Sequence, residues 1–198
     1  MIQPPNSPTS LPLSQSGFTI VESLMAMVVV GILMTVVAPV IALSVATRVQ
    51  ARRVELATQS ARAYIDGVRA GAIAPPTTTT NQYLLDSVAA PTALTDLYCV
   101  DLDATPGCTT TSSRDLAIQA FRTTTSTAND SQKGYRLGIR VYRADAFSDS
   151  TPLAKGTKQA TFTGGLGNRK VPLVETTTEI STEQTRFRDF CERLGGCK

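Results

Sequence analysis

Glu22 is the side chain whose setting asks for chemistry rather than packing. It lies four positions after Phe18, inside the apolar run TIVESLMAMVVVGILMTVVAPVIAL, beside a Gly17-Phe18 junction. A carboxylate at membrane depth is costly unless it meets a partner charge. Other reactive groups are sparse. The chain has no His, which removes the commonest general base and the commonest metal ligand. Ser, Thr and Asp are plentiful, but none forms a nucleophile setting, so no catalytic residue and no enzyme activity are expected. The four cysteines, Cys99, Cys108, Cys191 and Cys197, fall in two local pairs whose intervals enclose eight and five residues. That is wider than the tight spacing of zinc knuckles. Asp101 and Asp103 beside Gly107 suggest part of a calcium loop, yet the third acidic position and the closing Glu of that pattern are absent, and ordinary turn chemistry explains them. The Gly-rich turn before Arg169 and Lys170 lacks the Gly-Lys-Ser/Thr ending of a phosphate loop and does not lead into a helix, so a hairpin explains it. No metal and no cofactor are expected.

The elements around these residues divide the chain. With a net charge of +3 and 18% charged residues, no Lys/Arg run is dense enough for a phosphate-binding surface, and nucleic acid is not an expected partner. The length suits one domain with an appendage. Residues 1–17 hold four prolines and no charged side chain, so they read as a disposable leader. From Ser23 to Thr47 no residue carries a formal charge. A helix of that length rises about 37 Å, enough to cross a hydrocarbon core of roughly 30 Å.

The stretch GFTIVESLMAMVVVGILMTVVAPVIAL, through Gly17, Phe18, Thr19 and Glu22, resembles the prepilin cleavage and methylation motif of type IV pilins and type II secretion pseudopilins. The resemblance implies that a prepilin peptidase cuts between Gly17 and Phe18 and methylates the new amine of Phe18, both on the cytoplasmic side. The amine of one subunit would then pair with Glu22 of a neighbour, setting axial register in an apolar helix bundle. Gly31 and Pro39 fall where pilin helices carry breakers; Pro39 removes a backbone hydrogen bond and kinks the helix, allowing local melting during assembly. Partners implied are the peptidase, other pilins or pseudopilins through the amino-terminal helix, membrane lipid and, indirectly, an inner-membrane platform protein and an assembly ATPase. The implied location is the inner membrane, single-pass, amino terminus cytoplasmic and head periplasmic, then a filament or pseudopilus.

Pilin leaders carry Lys or Arg; this one has none, and Arg48, Arg52 and Arg53 follow the apolar run. Counted alone, these charges would orient the chain the opposite way, but the motif matches at several positions and takes precedence. A secretory signal cut after Ser44-Val45-Ala46 would need an apolar block far longer than the usual ~7–15 residues and lacks a charged start. A plain single-pass anchor leaves Glu22 beside a Gly-Phe junction unexplained.

Beyond the membrane segment Val45, Val49, Leu56, Tyr64 and Val68 recur at mixed threes, fours and sevens, so the helix turns amphipathic. It is expected to run from about Phe18 to about Ile73, stopped by Ala74-Pro75-Pro76, a spine on the order of 80 Å long. Gln82 to Ala89 reads as a helical turn, Leu97 to Leu102 as a short strand, and Ser113 as the cap of a helix through Phe121. In Tyr135 to Phe147, Leu137, Ile139 and Val141 alternate with Arg136, Gly138 and Arg140, which predicts a half-buried strand. Thr157 to Thr163 and Arg169 to Ile180 flank the Gly-rich turn as an expected hairpin. The segment STEQTRFRDFCERLGGCK reads as a capped short helix with Phe187, Phe190, Cys191 and Leu194 toward the sheet and Gly195 as its stop.

These readings combine into an α+β, type IV pilin-like ladle, a long amino-terminal helix, transmembrane in its first half, packed on a small antiparallel sheet. Expected segments are a leader at 1–17, a transmembrane and assembly half-helix at 18–47, an amphipathic half-helix at 48–74 and a globular head at 75–198. Four cysteines permit three connectivities; closeness in sequence and the oxidising compartment implied above favour Cys99 with Cys108 and Cys191 with Cys197. The strand GYRLGIRVYRADAF and the Cys191–Cys197 terminus resemble cyanobacterial pseudopilins of hormogonium polysaccharide secretion. The expected function is that of a minor pilin or pseudopilin supporting motility or secretion; the alternative is a membrane-anchored binding domain that does not join a filament.

Overall fold

Thr19 opens the first element. Its carbonyl accepts the amide of Ser23 at 3.1 Å and its Oγ1 accepts the amide of Glu22 at 3.3 Å, the bonds of a helix N-cap. Helix α1 follows, Ile20–Arg69. The computed structural model describes residues 17–76, 79–80, 85, 88–123, 131–161, 167–193 and 196, and the chain divides into two units, Met1–Ala42 and Leu43–Lys198.

The described part of the first unit is the beginning of α1 and the three residues before it. Its large apolar side chains are exposed, from Phe18 at 83% to Ile41 at 58%. The helix runs through both Gly31 and Pro39, so neither ends it. Pro39 has no amide hydrogen, which leaves the Thr35 carbonyl without its usual donor.

In the second unit the rest of α1 buries Gln50, Ala57, Ala61, Tyr64 and Val68, a spacing of threes and fours after Ala57 that keeps one face inward. The expected stripe is therefore shifted. Val45 and Val49 are exposed, and the inward positions include Ala57 and Ala61, whose short side chains carry little weight in a hydropathy reading. The helix ends four residues before Ile73 because Gly71 takes the left-handed conformation, φ 72°. The amides of Ala72 and Ile73 then both turn back onto the Gly67 carbonyl, at 2.9 and 3.0 Å. Gly67 makes room for this return, since a Cβ there would sit 2.6 Å from Ile73 Cδ1. The stop thus comes before Pro75 and Pro76.

The sheet consists of β1 (Thr79–Thr80), β2 (Tyr98–Val100), β3 (Leu116–Thr123), β4 (Tyr135–Arg143) and β5 (Val174–Ile180). β3, β4 and β5 are antiparallel neighbours in that order. The other edge of β3 is shared by β2, antiparallel across Leu116–Ile118, and the two-residue β1, which is parallel. On one face Leu137, Ile139 and Val141 of β4, with Leu116 and Ile118 of β3, join Ala57, Ala61 and Tyr64 of α1 in a single core. Each fully buried aliphatic side chain there contributes about 1.5–3 kcal/mol.

Three expectations for this unit are corrected. The helix expected from Ser113 through Phe121 is strand β3; Leu116, Ile118 and Ala120 alternate toward the core, and pairing of its whole length with β4 outweighs a local cap signal. β4 is buried on both faces rather than one. Arg140 and Tyr142 are both fully buried, and Phe121 lies across Gly138, its register partner, so closely that a Cβ there would be 2.3 Å from Phe121 Cε2. The hairpin of Thr157–Thr163 with Arg169–Ile180 is not formed among the described residues; β5 pairs with β4. Residues 154–159 only touch the approach to β5, through Ala154 N to Lys170 O and Gln159 N to Pro172 O, each 2.8 Å.

Helix α2, Phe187–Arg193, forms as expected but is held differently. Phe187 is 79% exposed, and the anchor is Arg193, which donates to Glu179 Oε2 at 3.1 Å and to the Lys133 carbonyl at 3.0 Å. The expected turn at Gln82–Ala89 falls mostly outside the described residues, as do Leu194 and Gly195.

Candidate functional site

At the amino-terminal end the residues are arranged by the helix start. Phe18 and Thr19 precede α1, and Glu22 is the third helical residue, so Thr19-x-x-Glu22 has the spacing of a capping box. A carboxylate in the first turn also suits the positive end of the helix dipole. This local role was legible in the sequence and was not drawn from it. It does not satisfy Glu22. Three other polar side chains in and just after the apolar stretch are satisfied locally: the hydroxyls of Ser23, Thr35 and Thr47 donate to carbonyls three or four residues back. The Glu22 carboxylate has no ion pair or side-chain hydrogen bond to a described residue.

Glycine at positions 17 and 31 is not required by packing against the described residues, since a Cβ at either would meet none of them within 4 Å. In mid-helix, Gly31 costs about 1 kcal/mol relative to alanine. Residues 1–16 of the expected leader lie outside the described residues. α1 is the one described helix long and apolar enough to cross a membrane.

In the second unit Cys99 and Cys108 form a disulfide with a Cα–Cα distance of 5.7 Å, the expected pairing. Cys191 is also disulfide-bonded, and Cys197, its expected partner, lies outside the described residues. Asp101 and Asp103 make the turn bonds expected of them. Asp101 accepts from Asp103 N at 3.1 Å and Gly107 N at 3.0 Å, and Asp103 accepts from Thr105 N at 2.7 Å. Asp103 also accepts the Ser112 hydroxyl at 2.6 Å, and these bonds, the Ser112 one first, hold its pKa below the usual carboxylate value. The structure brings a third carboxylate, Asp115, to the same place. Sequence reasoning missed it by assigning that segment to a helix.

The cations beside the Gly-rich turn have an internal use. Arg169 and Lys170 both pair with Asp149 at 2.7 Å. The opposite face of β4 holds a fully buried charge: Arg140 pairs through Nε with Glu175 Oε1 at 2.6 Å and donates to the carbonyls of Leu85 and Val88 and to Gln119 Oε1. Its donors are thus committed to fastening the 85–89 segment, which is a structural use.

The prokaryotic N-terminal methylation motif matches residues 13–38, a span that takes in Gly17, Phe18, Thr19, Glu22 and Gly31 and ends just before Pro39. No curated protein and no solved structure matches the chain significantly. The motif implies processing by a prepilin peptidase and assembly with other pilins, and with the bare apolar helix it suggests membrane anchoring. On a chain built as a long amino-terminal helix followed by an antiparallel sheet, this match supports a place in the type IV pilin-like prepilin family.

Proposed function

We propose that the chain is a minor pilin or pseudopilin, a structural subunit that enters a filament through α1. The peptide bond between Gly17 and Phe18 is hydrolysed by a prepilin peptidase, and the amine released on Phe18 is methylated. Residues 18–47 hold the subunit in the inner membrane, amino terminus inward and the second unit outside. They then pass into the filament core. Gly31 and Pro39 are the places where α1 melts during that transfer. Cys191 with Cys197 closes the carboxyl terminus as Cys99 with Cys108 closes the β2–β3 loop. A platform protein and a cytoplasmic ATPase drive the transfer, and the narrower resemblance makes polysaccharide the first cargo to examine.

The observation that carries this reading is the unpaired Glu22 carboxylate on an otherwise apolar and exposed helix, four residues after the residue that would become the new terminus. Within hydrocarbon such a charge needs an opposite charge from another molecule, and the Phe18 amine of a neighbouring copy supplies it. The test separates assembly from anchoring. Glu22→Val is expected to leave the protein in the membrane fraction but to remove it from sheared filaments, with Glu22→Asp retaining part of the incorporation. Normal incorporation of Glu22→Val would overturn the proposed pairing.

A further inference from the structure

The loop between β2 and β3 gathers three carboxylates. One oxygen from each of Asp101, Asp103 and Asp115 lies within 4.8 Å of the other two. The turn accounts for Asp101 and Asp103, whose oxygens accept the amide and hydroxyl bonds already described. Asp115 is different. It comes from the far end of the loop, directly before β3, and is fully buried with its carboxylate directed into the cluster. Its Oδ1 accepts the Leu102 amide at 3.1 Å, while its Oδ2 is buried without any hydrogen-bond partner.

A buried carboxylate oxygen left unpaired is unfavourable, and two further negative charges beside it make it more so. No Lys or Arg forms an ion pair with any of the three among the described residues. Arg114 acts on Asp103 only through space.

We propose that Asp101, Asp103 and Asp115 together bind one calcium ion. The donors are all oxygens, which selects a hard cation over zinc or copper. Calcium accepts an irregular set of six to eight oxygens, completed by backbone carbonyls and water, whereas magnesium demands a near-octahedral shell that a loop of this kind is poorly suited to give. The ion ties the two ends of the 101–115 segment together, and the Cys99–Cys108 disulfide closes part of the same loop. The missing third acidic position of the calcium pattern is thus filled from beyond the turn. The site uses residues of the second unit only and stands or falls independently of processing at Gly17.

Full-length protein in detergent, stripped with a chelator, is titrated with calcium chloride by calorimetry while its thermal unfolding is followed by circular dichroism. One calcium is expected to bind saturably, with an affinity near the ~10⁻⁴–10⁻³ M of extracellular modules, and to raise the unfolding midpoint as its concentration rises. Magnesium is expected to bind at least about tenfold more weakly, and Asp101→Asn and Asp115→Asn each to weaken calcium by at least about tenfold. Asp101 is exposed, so its variant retains the fold even if Asp115→Asn does not, and Glu183→Gln, outside the cluster, should bind as the parent does. No saturable binding up to about 10 mM calcium, or binding unchanged in Asp101→Asn, overturns the proposal; an equal affinity for magnesium overturns the choice of calcium.

Discussion

Arg140 and Glu22 are both charges in apolar surroundings, and they are resolved in opposite ways. Arg140 finds its partners within the chain, with Glu175 at 2.6 Å and side-chain exposures of 0% and 8% for the pair. Removing one member of such a pair leaves the other buried and uncompensated. Arg140→Met is therefore expected to lower the unfolding free energy by about 3–5 kcal/mol, and Arg140→Met with Glu175→Leu to recover most of that loss; denaturant titration of the parent and the three variants measures both. Glu22 has no such partner among the described residues. In the sequence Arg140 read as a solvent-facing residue of an alternating strand, since alternation separates two faces without saying whether the second is covered. What covers it comes from 85–89, more than fifty positions away in the chain.

α1 was legible because its signal is long and local: a charge-free run followed by an amphipathic continuation. Its end was misplaced by a few residues because the prolines are conspicuous and the left-handed Gly71 is not. β4 was legible from Leu137, Ile139 and Val141. β3 was not, because LAIQAFRT is short, carries both alternating and helical spacings, and follows a serine that resembles a cap. Its pairing with β4 decides the matter, and no local pattern reports that pairing. The same error hid Asp115, whose carboxylate reaches Asp101 and Asp103 only once the segment before β3 is extended. The Gly-rich turn lies mostly outside the described residues, and composition does not say which strand β5 joins. The Cys99–Cys108 pairing was legible from spacing. Closing a loop of that size removes chain entropy worth about 2.5–3 kcal/mol, so Cys99→Ser with Cys108→Ser is expected to cost roughly that much in a denaturant titration.

Taken as a molecule, the chain has two units with different needs. Leu43–Lys198 packs an apolar core against a sheet, pairs the buried Arg140 with Glu175 and closes at least one disulfide. The described residues of Met1–Ala42 leave nearly every apolar side chain bare, and a patch of that extent marks a membrane or another protein surface. The motif at residues 13–38 implies processing by a prepilin peptidase and assembly with other pilins. Intact mass and amino-terminal sequencing of the protein extracted from membranes of cells with and without prepilin peptidase test this directly. The expected result is a chain beginning at N-methylated Phe18 when the peptidase is present and an uncut chain when it is absent. A chain that stays uncut in the presence of the peptidase, or that begins at Val45 to Thr47 in either cell, would contradict it.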